Sequence, residues 1–172
     1  DSFHGRTMAT LSATGQTDMH KDFQPLLSGS KYVELNDSEG LKAAVDNNTC
    51  AIIFETIQGE GGINTLSESF IDTLNELQKD GVLLIIDEVQ TGMGRTGTLF
   101  SFEQFGLEPD VVTLAKGLGG GFPIGAFLAT DKVAAHFKPG DHGTTLGGNP
   151  LATAVGNAIF DEIIEADLLD NA

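Results

Sequence analysis

Two carboxylates, Asp87 and Glu88, close the apolar run VLLII, and Lys116 closes the apolar run VVTLA. Side chains of these types at strand ends can do chemistry in more than one way. An acidic pair behind an apolar strand can hold a magnesium ion against nucleoside phosphates, and Gly92, Gly94 and Gly97 match the letters of a dinucleotide-binding turn. A carboxylate and an amine on successive strands can also grip two atoms of one heterocyclic ring.

The glycine pattern is a poor dinucleotide turn. Five residues, DEVQT, separate the strand from Gly92, TLFSFEQF after Gly97 starts a helix badly, and no acidic residue follows at the end of a next strand. The magnesium reading lacks its partner, because no G-x-x-x-x-G-K-[ST] loop is present to cradle phosphates. A nucleotide hydrolase whose phosphate loop lies upstream of residue 1 stays as an alternative, but it leaves Lys116 without a role.

The third reading uses both groups. Pyridoxal phosphate withdraws electrons only while its ring nitrogen is protonated, which a buried carboxylate secures, and its aldehyde needs a lysine amine for the Schiff base. Asp87 and Lys116 are those two residue types. Lys116 leaves an apolar strand for the turn GLGGG, where desolvation is expected to favour the free amine.

The elements that must position these groups can be read from periodicity. Residues 50–55, CAIIFE, and 82–87, VLLIID, are unbroken apolar runs ending in a carboxylate, the pattern of buried strands. DVVTLAK and PIGAFLA read as two more strands, and Lys31 to Leu35 as a short one. Ser38 is the expected N-cap of a short helix in SEGLKAAVDNN. QGEGGINT is expected as a glycine loop. Leu66, Phe70, Leu74 and Leu77 then recur at helical spacing, with Gly81 as the stop. Residues 149–172 read as a closing helix.

Strands without internal alternation, separated by helices, predict an α/β domain with a mostly parallel sheet covered by helices on both faces. Ligands bind such sheets beyond the carboxyl ends of the strands. Glu55, Asp87, Lys116 and the turn after Ala129 are expected along that one edge.

Composition excludes other classes. The chain has 172 residues, enough for one domain or most of one, and 9 Lys+Arg against 25 Asp+Glu give a net charge of −16. So few cations make nucleic acid an improbable partner. No apolar stretch is long enough for a membrane span, and a single cysteine, Cys50, fits a reducing compartment, with the cytoplasm as the expected location. His4, His20, His136 and His142 lack metal-ligand spacing and read as surface or loop residues, so no metal site is expected.

Five stretches together, SFHGRT, ETIQGEGGI, LLIIDEVQTGMGRTG, TLAKGLGGGFPIGA and HGTTLGGNPLA, resemble the class III (ornithine-type) aminotransferases, pyridoxal-phosphate enzymes of fold type I, in that family's order and near its spacing. The resemblance implies that residues 1–172 are the central part of the large cofactor-binding domain. An N-terminal segment and a small C-terminal domain would lie outside them, and the fragment alone is expected to be inactive. GLGGGFPIGA and HGTTLGGNPLA look most like members that move the δ-amino group of N-acetylornithine to 2-oxoglutarate in arginine biosynthesis. Ornithine and GABA are the alternative donors.

Residue roles follow from the resemblance alone. Lys116 would carry the cofactor and shuttle a proton. Asp87 would pair with the ring nitrogen, and Glu88 belongs to the same cofactor-contacting stretch. Val89 and Phe3 would cover the two ring faces, and Gln90 would bond the phenolic oxygen. Thr145 would reach the phosphate of a neighbouring subunit's cofactor, implying a homodimer, with Thr144 near substrate. Arg6 would hold a substrate carboxylate. Glu60 resembles a switch residue that pairs with an arginine of the C-terminal domain, and neither of the chain's two arginines, Arg6 and Arg95, is its counterpart. Thr56 stands where the family usually has proline.

Overall fold

The computed structural model describes residues 1–172. The chain divides into two compact units, Asp1–Leu84 and Ile85–Ala172, with the division falling inside a strand.

In the first unit, the helical spacing of Phe70, Leu74 and Leu77 produces α3, Glu68–Lys79, which buries these residues and Thr73 on one face. Its end is set by Gly81. With φ at +103°, Gly81 donates its N–H to the Gln78 carbonyl (2.9 Å), and Val82 donates to the Leu77 carbonyl (3.1 Å). This is a Schellman closure, which a residue bearing a Cβ adopts only at a cost. Leu74 is fully buried. Replacing it with alanine is expected to lower the unfolding free energy by about 2–5 kcal/mol, measured by urea denaturation followed by circular dichroism. A loss below about 1 kcal/mol would mean that this face of α3 is not core.

Two helices precede α3: α1, Met8–Ala13, in the Gly/Thr/Ser-rich start, and α2, Ser38–Ala44. The cap of α2 is Asp37, not Ser38. The Asp37 Oδ1 accepts the Gly40 N–H at 2.9 Å, and a carboxylate also suits the positive end of the helix dipole. Ser38 becomes the first helical residue and donates its hydroxyl to the Ser69 carbonyl (3.2 Å).

No strand forms over residues 31–35. Side chains anchor that segment instead: the Tyr32 hydroxyl donates to the Ser12 carbonyl (2.6 Å) and Lys31 Nζ reaches Asp46 (2.7 Å). His20 lies inside rather than on the surface, with Nε2 2.9 Å from the Thr14 carbonyl oxygen and its ring beside Tyr32. Strand β1, Ala51–Phe54, matches its apolar run. The expected glycine loop is the tip of a small antiparallel hairpin, β2, Ile57–Gln58, and β3, Asn64–Thr65.

Strand β4, Leu83–Asp87, begins in the first unit and ends in the second. With β5, Val111–Leu114, and β6, Ala126–Ala129, it builds a four-stranded sheet in the order β1-β4-β5-β6. β4 and β5 are parallel, with Ile85 opposite Val111 and Asp87 opposite Thr113. β6 runs antiparallel to β5, pairing Ala126 with Leu114 and Ala129 with Val111. A parallel return needs a crossover of about a dozen residues or more, and residues 115–125 are spent on a tight turn. The turn after Ala129 therefore lies at the opposite edge from Lys116, contrary to expectation. β6 is also uncovered on both faces, since the consecutive Phe127 and Leu128 are 57% and 50% exposed.

The closing helix is shorter than expected. α5 covers Pro150–Glu165, capped by Asn149, whose Oδ1 accepts the Ala152 N–H (2.9 Å). Asp167, at φ +50°, breaks it before a 3-10 turn at Leu168–Asn171. Between β6 and α5 lies one short helix, α4, Asp131–Ala134.

Candidate active site

Parallel pairing of β4 and β5 brings the two sequence-predicted reactive groups to one sheet edge. Asp87 is the last residue of β4, level with Thr113, and Lys116 lies three residues beyond Thr113 on the adjoining chain. The register is held past the strand end, because Glu88 donates its N–H to the Thr113 carbonyl (3.0 Å).

Asp87 is buried, 6% exposed, and its Oδ1 accepts the Val89 N–H at 3.0 Å. The bond turns the chain directly after the strand, so that Val89 and Gln90 follow as half-buried residues on the same loop. A 3-10 turn at Ser101–Phe105, not an α-helix, follows the glycines at 92, 94 and 97. This geometry does not make a dinucleotide turn.

Lys116 opens a 3-10 turn, Lys116–Gly119, and its backbone sits at φ +39°, a left-handed conformation that non-glycine residues seldom adopt. The turn is closed by Leu118 N–H on the Ala115 carbonyl (2.9 Å) and Gly120 N–H on the Gly117 carbonyl (3.1 Å). Beneath it, Leu118 joins Val112 and Leu114 in a core cluster that Met93, Phe100, Phe102, Ile124 and Phe160 cover. The glycines permit this packing. A Cβ on Gly120 would stand 2.6 Å from the Ile159 Cδ1 of α5. Lys116 itself is exposed, so residues 1–172 do not supply the desolvation expected of it.

Glu88 points elsewhere. It is 1% exposed; its Oε1 accepts the Phe102 N–H (2.8 Å) and its Oε2 accepts the Thr91 hydroxyl (2.5 Å). Burial pushes its carboxyl above the usual range, against the opposing pull of the Thr91, Phe102 and Ser101 donors, and the Asp87 charge adds to the rise. Sequence reasoning placed Glu88 with Asp87. The available signal for separating them was strand periodicity, by which adjacent side chains leave on opposite faces.

Phe3, Arg6 and Glu60 belong to the first unit. Glu55, at the end of β1, is 3% exposed and accepts the Phe3 N–H (3.0 Å) on Oε2 and the Gly59 N–H (3.4 Å) on Oε1. It thereby ties the SFHGRT segment to the turn of the β2–β3 hairpin. The Arg6 guanidinium lies 5.6 Å from the Phe3 ring centroid, a cation–π distance, and Glu60 is exposed near the hairpin tip. The anchoring by Glu55 was legible only as a carboxylate at a strand end. A cavity of about 570 Å³ in this unit lies along β1 and the 29–35 segment, and its walls include none of Phe3, Arg6 and Glu60. Thr144 and Thr145 stand exposed in the turn before α5, and the Thr144 Oγ1 accepts the Gly147 N–H (3.1 Å). No group of three or more His, Cys, Asp or Glu is placed to hold a metal ion, and no helix is long and apolar enough to cross a membrane.

A buried carboxylate and a lysine on adjacent parallel strand ends, each next to a glycine-rich turn, form a donor set that fits a pyridine-aldehyde cofactor. The sequence matches the class-III aminotransferase family over residues 1–172, and the chain belongs to that family.

Among its relatives, it is 56% identical over 164 residues to the acetylornithine aminotransferase of Aquifex aeolicus, covering 95% of this chain and 44% of that protein. To the acetylornithine aminotransferase of Caldanaerobacter subterraneus it is 54% identical, covering 99% and 43%. The chain thus spans less than half the length of these relatives. Among solved structures, the ornithine aminotransferase of Toxoplasma gondii superposes with a TM-score of 0.93 at 37% identity, over 99% of this chain and 41% of that one. That protein was crystallised with partial occupancy of PLP at its active site. The N-acetylornithine aminotransferase of Stenotrophomonas maltophilia superposes with a TM-score of 0.72 at 42% identity, over 81% and 37%.

Proposed function

We propose that the protein carrying this chain is a pyridoxal-phosphate-dependent acetylornithine aminotransferase, transferring the δ-amino group of N-acetylornithine to 2-oxoglutarate. The observation that carries the reading is the placement of Asp87 and Lys116 on neighbouring parallel strand ends. The donor is taken from the relatives, since two of the most similar are acetylornithine aminotransferases.

When bound, the cofactor supplies a protonated ring that draws electrons from the carbon bearing the amino group. The chain's own residues do the rest. Asp87 keeps a proton on the ring nitrogen, and its burial makes that charge effective because little water screens it. Lys116 would hold the cofactor through its Nζ and would be the acid–base group that moves the proton at the carbon bearing the amino group. Val89 and Phe3 would cover the ring faces, and Gln90 would bond the phenolic oxygen. Arg6 would hold a substrate carboxylate through its paired donors, and Glu60 would act as a switch residue toward an arginine that is neither Arg6 nor Arg95. Thr145 serves the phosphate of a partner subunit's cofactor and Thr144 the substrate, in a cytoplasmic homodimer.

The test is a comparison of amino donors with the intact protein and 2-oxoglutarate. N-acetylornithine is expected to exceed ornithine and GABA in kcat/KM by at least about tenfold, which corresponds to 1.4 kcal/mol of differential transition-state binding. Preference for ornithine would move the protein to the ornithine enzymes, a second reading that the Toxoplasma gondii superposition favours. Absence of transfer from every donor would remove the aminotransferase reading.

A further inference from the structure

Adjacent carboxylates in the DEVQ stretch have opposite surroundings. Asp87 turns its own loop by accepting the Val89 N–H, while Glu88 is sealed from solvent and directed to the 3-10 turn at Ser101–Phe105. We infer that Glu88 is a positioning residue: its carboxylate braces residues 88–102 into one rigid loop and so holds Asp87 and Gln90 where a cofactor ring can meet them, without touching that ring. The inference rests on the cofactor reading above.

Besides the Ser101 N–H, which also donates to this carboxylate, three bonds build the brace. Oε1 accepts the Phe102 N–H, Oε2 accepts the Thr91 hydroxyl, and the Glu88 backbone carbonyl accepts the Gly92 N–H (2.9 Å). The two side-chain bonds tie together positions three and fourteen residues away. Between them runs a segment containing Met93 at φ +57° and glycines at 94 and 97, closed on itself by the Gly94 N–H on the Leu99 carbonyl (3.2 Å), the Gly97 N–H on the Gly94 carbonyl (3.1 Å) and the Gln104 side chain on Thr96 and Thr98, so that the Glu88 carboxylate orients an already closed loop. The far end is fixed, because Phe102 packs on the cluster of Val112, Leu114 and Leu118 beneath the Lys116 turn. Gly92 closes the near end: a Cβ there would stand 2.9 Å from the Glu88 carbonyl oxygen and 3.2 Å from Leu114 Cδ2. Through Phe102, Glu88 is thus connected to the floor of the lysine turn as well as to Asp87. A buried carboxylate with no cation beside it is costly unless its oxygens are satisfied. Here the satisfying donors are the ends of the loop.

The brace depends on reach more than on charge, and that separates it from direct contact. In the intact protein stripped of cofactor, pyridoxal 5′-phosphate is titrated into wild type, Glu88→Gln and Glu88→Asp, with uptake read from the visible band and exchange of the Phe102 amide hydrogen read in parallel. Glutamine retains an oxygen at the same reach and an amide that the Thr91 hydroxyl can accept. It is expected to keep cofactor affinity and Phe102 protection within about twofold of wild type. Aspartate retains the charge but is one methylene short. It is expected to speed Phe102 exchange and to weaken cofactor binding by about ten- to a hundredfold, the scale of a small misplacement of positioned groups.

Loss of affinity in Glu88→Gln with Phe102 still protected would overturn the inference in favour of a charge acting directly on the cofactor. Full affinity in Glu88→Asp with Phe102 exposed would overturn it by showing that the brace positions nothing. Should Glu88→Asp fail to fold, the glutamine arm decides by itself, through whether affinity and protection are retained together. A wild-type protein that binds no pyridoxal phosphate defeats the functional reading, and the inference falls with it. A defect confined to the variants concerns Glu88 alone.

Discussion

Lys116→Ala in the intact protein is expected to eliminate the borohydride-trappable absorbance band formed with pyridoxal phosphate and to lower kcat by about 10⁴-fold or more, the upper range for losing a positioned acid–base group. The prediction is demanding because folding should be spared. Lys116 is exposed, and its φ of +39° strains alanine as it strains lysine, so the exchange trades one Cβ-bearing residue for another. The hydrogen bonds closing the turn are made by backbone atoms of residues 115, 117, 118 and 120 and do not involve the lysine side chain. Unchanged melting with a vanished band would assign the covalent link to Lys116. A trappable band surviving in the variant would place the link on another lysine, and the site built on β4 and β5 would be wrong.

Asp87→Asn should leave the fold in place and impair catalysis by about 10²- to 10³-fold in kcat, the range found for single preorganised electrostatic groups. Asparagine keeps a carbonyl oxygen to accept the Val89 N–H that Asp87 accepts at 3.0 Å, so the loop turn survives. What it removes is the negative charge. With only 6% of the residue exposed, solvent screens that charge weakly, and its absence is not made good by water. The measurement is steady-state kinetics with the preferred amino donor, alongside a cofactor titration. A kcat within threefold of wild type would show that Asp87 does not hold the ring proton.

The strand-end positions of Asp87 and Lys116 were legible in the sequence because each closes a largely apolar run, and a polar residue closing such a run marks a strand end. α3 was legible for a related reason. Its buried positions repeat at the helical period, and Gly81 supplies the left-handed residue that the closure requires. The 31–35 segment misled because strand propensity describes a fit to a pleated neighbour, which KYVEL does not have. Capping was one residue out at α2, since Asp37 and Ser38 are both good caps and sequence does not say which one stops being helical.

By itself, then, the sequence determined the strand and helix types that border the site, the two residue types able to grip a pyridine aldehyde, and membership of the class-III aminotransferases. These follow from local periodicity and from motifs confined to short stretches. Only the tertiary structure decided that β6 turns back antiparallel, that Glu55 holds Phe3, and that Glu88 faces Phe102. Each of these depends on groups from 14 to 52 residues apart, or on the pairing of separate strands, and the backbone hydrogen bonds that settle them have no signature in local spacing.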